Sequence, residues 1–151
     1  MNLDLFYFFF QNLDLSNNSL TLLPGGTCAH GHWQRLTRLS SLDLRGNRIG
    51  CLPSSLGALA SEGGSPISAA QLAGAGGLRY DVDELTDLPS EIAEAGAAAL
   101  LAYLAGCHKS LVGGRLDLAG LGMLSAPHHL AAMGHLVELR LGSNPLTELP
   151  E

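Results

Sequence analysis

An α/β array of stacked repeats is the fold class that this 151-residue chain predicts, and three observations predict it. Apolar residues change period within one stretch, that stretch recurs along the chain, and asparagine and proline stand at fixed offsets inside it. Residues 39–59, LSSLDLRGNRIGCLPSSLGAL, show all three features. Leu42 and Leu44 lie two apart, as one face of a short strand requires, and Leu56 and Leu59 lie three apart, as a helical turn requires. One such unit cannot bury its own apolar edge, so copies must stack.

The first copy places Phe10, Leu13, Leu15, Asn18, Leu20, Leu23 and Pro24 in the slots that Leu39, Leu42, Leu44, Asn47, Ile49, Leu52 and Pro53 fill in the second. Trp33, Leu36 and Leu39 restore the threefold spacing, which confines the extra residues to the loop GGTCAHGH. The stretch SEGGSPISAAQLAGAGG is rich in Gly, Ala and Ser, and 61–74 is read as a flexible insertion. A third copy follows at Ala75, Leu78, Tyr80, Asp83, Leu85, Leu88 and Pro89, with Asp83 in the asparagine slot. Beyond Ile92 an alanine-rich run keeps Leu100, Leu101 and Leu104 on one face and predicts a long helix, which Ser90 can cap and Gly113 or Gly114 can end.

The fourth copy has Leu116, Leu118, Met123 and Pro127 in place, but Leu121 where asparagine belongs and Ala126 where leucine belongs. The fifth is regular, with Leu136, Leu139, Leu141, Asn144, Leu146, Leu149 and Pro150. The expected organisation is a terminal segment 1–9 and a repeat domain 10–151, with units 10–38, 39–60, 75–112, 113–135 and 136–151. The chain stops one residue after the fifth proline with an apolar edge open, so it reads as a fragment, or a gene model, of something longer and incomplete at its ends.

The spacing L-x-x-L-x-L-x-x-N-x-I-x-x-L-P in 39–53 resembles the leucine-rich repeat of the intracellular type, with nine positions in register. That resemblance implies a curved solenoid, with short parallel strands on the concave side and helices or turns on the convex side. The segment carrying Pro89, Glu91, Ile92, Gly96, Ala99, Tyr103 and Leu104 is similar to segments found beside such repeats in Roco-type GTPase-kinases and related scaffolds.

A net charge of -6 with only eight Lys and Arg argues against nucleic acid or an anionic membrane as partner, because phosphate binding needs clustered cations. Cys28, Cys51 and Cys107 form no paired C-x-x-C, and an odd count points to a reducing compartment, hence the cytoplasm. The start MNLDLFYFFF lacks a basic region, carries Asp4 and is followed by no small-residue cleavage site, so no signal peptide is read. The apolar run 5–10 is shorter than the roughly 20 residues a membrane span needs.

Chemistry-bearing residues are few. Cys28, His30 and His32 could ligate zinc or copper, and Cys107-His108 or His128-His129 could approach them, but no fourth ligand lies near in sequence, so no metal is expected. GAGG at 74–77 lacks the Lys-Ser/Thr of a phosphate loop, and neither Cys28 nor Cys107 has hydrolase flanks, so no catalytic residue and no cofactor are expected. Asn18, Asn47 and Asn144 sit where a side chain can bond backbone groups as each strand turns away, a ladder that Asp83 could extend. The resemblance places the residues between the leucines on the concave face: Asp14, Ser16, Asp43, Arg45, Arg79, Asp81, Asp117 and Arg140, together with Ala119 and Gly142. A face of both signs and small residues suits a protein or peptide partner, so the expected function is a non-enzymatic protein-interaction module. The Roco likeness implies the alternative that catalysis lies outside this chain, in a larger signalling enzyme.

Overall fold

A computed structural model describes residues 10–25, 33–60, 66–74, 76–127, 129–130 and 133–149. Five short strands carry the repeats: β1 (Asn12–Asp14), β2 (Ser41–Asp43), β3 (Leu78–Arg79), β4 (Arg115–Asp117) and β5 (Glu138–Arg140). They are short because the chain must turn directly after each one. Asn17, Gly46, Gly120 and Ser143 take φ of +54°, +69°, +70° and +57° at the same repeat position, a conformation that asparagine and glycine tolerate best. All pairing is parallel, in a three-stranded sheet β1-β2-β3 and a two-stranded sheet β4-β5. In register, Leu13 faces Leu42, Leu42 faces Leu78, and Leu116 faces Leu139.

The helical segments are α1 (Ser55–Ala58), α2 (Pro66–Ala73), α3 (Ser90–Glu94) and α4 (Ala97–Gly113), with 3-10 turns at Trp33–Arg35 and Val82–Glu84. The long helix expected after Ile92 is two helices, because Gly96 takes φ +97° and breaks the run. Ser90 begins α3 without capping it, and its hydroxyl lies 3.4 Å from Glu91 Oε2. Gly114, in the left-handed conformation, ends α4 as expected.

Part of the run expected to be a flexible insertion, 61–74, is ordered. Residues 66–73 form α2, and Leu72 is completely buried. The glycines and alanines there permit close packing: a Cβ on Gly77 would overlap Leu72 and the Gln71 carbonyl. Gly57 serves α1 in the same way, since a Cβ would overlap the Leu104–Ala105 backbone of α4. Helix α4 therefore sits directly on α1 and packs against β4, and one apolar core runs from Leu23 through Leu42, Leu56, Leu100 and Leu118 to Met133.

Candidate functional site

Strand pairing sets the polar residues of the first sheet in one row, with Asp14 beside Asp43 and Asp43 beside Arg79. Asp43 is its centre. The Arg45 guanidinium donates to it at 3.0 and 2.6 Å, the Arg45 backbone N–H at 3.1 Å, and Arg79 Nη1 approaches at 3.5 Å. The Arg45 bonds hold the Asp43 carboxyl down from its ordinary 3.8 to about 2. Asp14 accepts the Ser16 N–H at 2.9 Å, and bonds from Ser16 lower its pKa as well. Asp81 reaches back to the preceding repeat and accepts the Gly46 N–H at 2.6 Å.

The second sheet repeats the row more loosely. Asp117 pairs in register with Arg140, their charged atoms 3.9 Å apart, and Asp117 accepts the Ala119 N–H at 3.1 Å. Glu138 and Arg115 join this row, Glu138 bonding Arg140 at 2.7 Å and Arg115 at 3.1 Å. Neither was singled out from the sequence, although R-L-D and E-L-R at 115–117 and 138–140 place them two residues from Asp117 and Arg140, on the same strand face. Among the described residues no ladder joins β3 to β4, so the eight candidate residues form two rows and not one column.

The asparagine ladder is real but incomplete. Asn47 donates to the Leu15 and Leu44 carbonyls, both at 2.8 Å, and accepts the Leu20 N–H at 3.0 Å. Asn144 does the same for its neighbour, donating to Leu118 and Leu141 at 2.8 and 2.9 Å and accepting from Met123 at 3.2 Å. Among the described residues, Asn18 bonds only the carbonyls of its own turn, Leu15 and Ser16. Asp83 does not extend the ladder: it is exposed in the Val82–Glu84 turn. Two causes act together. An ionised aspartate has no N–H to donate to two carbonyls, and β-branched Val82 occupies the slot that must turn left-handed.

The family model for the Leucine Rich Repeat matches residues 9–29 and 38–59, the first two copies. Those two copies are leucine-rich repeats. No curated protein and no solved structure matches it. The likeness to Roco repeat regions gains no support from these matches. Leucine-rich repeats generally mediate protein–protein interaction, and the repeat itself is a non-catalytic fold.

Helix α4, which separates the third and fourth copies, leaves a cleft of about 920 Å³ against residues of the second, third and fourth copies. Cys51 and Cys107, both buried, line it. Tyr103 Oη lies 3.0 Å from His129 Nε2, with the rings edge to face at 6.1 Å. Burial lowers the His129 pKa, opposed by a hydrogen bond to the Asp87 backbone. Ser54 also lines this cleft, with its hydroxyl buried. Sequence reasoning missed Ser54 and the Tyr103–His129 pair, because only the packing of α4 brings 54, 103 and 129 together. Cys28, His30, His32 and His128 lie outside the described residues, and among the described ones no group of three or more His, Cys, Asp or Glu could hold a metal.

Proposed function

We propose that this chain is a non-enzymatic interaction module of five repeats, in which the strands form the concave side of a solenoid that binds a protein or peptide. The observation that carries this reading is the pair of arginines on the first sheet. Arg45 and Arg79 both turn toward Asp43, yet their side chains stay 54% and 45% exposed. A carboxylate that orients two guanidiniums on a rigid sheet presents directed donors at low entropic cost, which favours specific recognition. Asp14, Ser16 and Asp81 flank the pair in the first row, and Asp117 and Arg140 extend the surface in the second. The net charge of -6 disfavours a nucleic acid partner. No helix among the described residues is long and apolar enough to cross a membrane. Three cysteines, an odd count with no paired C-x-x-C, support a reducing, cytoplasmic setting.

Affinity capture from cell extract with the parent chain and with the Arg45→Glu, Arg79→Glu double variant tests the reading. A partner held by the parent should bind a few-fold to tens of fold more weakly to the variant, at unchanged circular dichroism. The His30→Ala, His32→Ala variant should bind it as the parent does. Loss of binding on the histidine changes or on chelation, with the arginine reversals silent, would move the site to the 25–32 loop.

A further inference from the structure

The cleft against α4 differs from the sheet face in its charge. Its volume of about 920 Å³ falls within the roughly 300–1,000 Å³ of small-molecule sites, and Leu52, Leu104, Leu111 and Met133 give it an apolar lining. Among the described residues no Lys or Arg lines it, and Asp87 is the one Asp or Glu that does. Asp87 is exposed, and none of the described cations pairs with its carboxylate. That carboxylate is near enough to the ring of His129, which also lines the cleft, to act on it through its charge. His129 brings no charge of its own to offset it, because burial disfavours the imidazolium and Nε2 lies 3.0 Å from Tyr103 Oη. The chain around Asp87 has the same sign: Asp81, Asp83, Glu84, Asp87, Glu91 and Glu94 stand between Arg79 and Lys109 with no Lys or Arg among them. An apolar lining with one unpaired carboxylate, in a negative field, favours a ligand that combines an apolar body with a positive charge. An anion would be repelled, and a neutral molecule would gain less from the carboxylate.

We propose that this cleft binds an apolar organic amine, with the ammonium group paired to the Asp87 carboxylate and the apolar body on Leu52, Leu104 and Met133. One positive charge satisfies the site, because Asp87 is the lone carboxylate in the described lining. Asp83 provides an internal comparison. It is exposed in the Val82–Glu84 turn and adds to the field, but it does not line the cleft.

Phenethylamine, phenethyl alcohol and phenylacetate, which share a phenyl ring and differ in charge, are the probes, titrated into the full chain with its methionine methyls labelled with carbon-13. The Met133 methyl signal should move saturably with the amine, while Met123, buried and not among the cleft residues, should move less. The amine should bind about fivefold more tightly than the alcohol, the effect of one water-exposed ion pair, and phenylacetate should bind most weakly. Added sodium chloride should narrow the gap between amine and alcohol. Asp87→Asn, a change at an exposed side chain, should bring the amine down to the affinity of the alcohol at unchanged circular dichroism, whereas Asp83→Asn should keep most of the preference. A Met133 signal unmoved by the amine, an alcohol or phenylacetate bound as tightly as the amine, or a preference that survives Asp87→Asn or is lost equally in Asp83→Asn overturns the proposal. None of these outcomes bears on the arginine pair of the sheet face.

Discussion

Leu42 and Leu139 hold the same position of the repeat, at the centres of β2 and β5, yet Leu42 is completely buried and Leu139 is 43% exposed. Their polar neighbours differ likewise, with Asp43 buried under two arginines and the equivalent Arg140 of β5 exposed. The local backbone does not explain the contrast, because Asn47 and Asn144 make the same set of bonds in the two repeats. Neighbours explain it. Strand β2 has β1 on one side and β3 on the other, with α2 against it, whereas among the described residues β5 pairs only with β4. The repeat sequence sets the turn, and stacking on both flanks sets the burial.

The largest expected effect separates the two stacks outright. Leu44→Asp would place an unpaired charge in the continuous core, where Leu44 is 2% exposed, at a cost of about 4 kcal/mol or more. That is enough to unfold a domain of ordinary stability. Leu139→Asp puts the same charge on a residue already half in water and should cost about 1 kcal/mol or less. Thermal unfolding by circular dichroism distinguishes them: equal melting of the two variants would mean that the stacks are buried alike.

A smaller difference is expected at the ladder. Asn47 is 6% exposed and Asn144 only half-buried. Removing the amide leaves two carbonyls and one N–H unpaired in each case, which costs about 2–3 kcal/mol where water cannot enter and about 1 kcal/mol where it can. Urea unfolding of Asn47→Ala and Asn144→Ala should show that order. Asp83→Asn should restore little, because Val82 keeps the third turn from taking the left-handed conformation the ladder needs.

Much of this was legible in the chain, and what was not has identifiable causes. The register of β1, β2 and β3 follows from the Leu13, Leu42 and Leu78 spacing, and the structure pairs those leucines directly. Tyr80 in a leucine slot also fits, with its hydroxyl donating to the Ala93 carbonyl at 2.8 Å. The break at Gly96 is hidden by the apolar face that runs on either side of it, because a glycine inside a helical pattern does not by itself show a positive φ. Helix α2 was hidden because low apolar content was read as flexibility, when its single Leu72 and the close approach at Gly77 were the packing signal. The separation of the two sheets and the cleft at Ser54 depend on where α4 docks, a contact of high sequence separation that no local spacing encodes.

The smallest expected effect tests the electrostatic side of the contrast. Asp43 has a folded-state pKa of about 2 against an ordinary 3.8. A carboxyl held low in the folded state stabilises the fold fully above its unfolded value, and that stabilisation drains away as the pH falls from about 4 to about 2. With both arginine partners half exposed to solvent, the contribution is about 1 kcal/mol. Trp33, the chain's one tryptophan, is buried beside the first stack with its indole N–H donating to the Pro24 carbonyl at 2.7 Å, so its fluorescence reports on loss of packing there. Urea midpoints followed by Trp33 should fall between pH 4 and pH 2 in the parent, and the fall should be smaller by that amount in Asp43→Asn, which cannot titrate. A parent and variant with the same acid dependence would show that Arg45 and Arg79 hold Asp43 no more firmly than water does, and the first sheet would then differ from the second in apolar burial only.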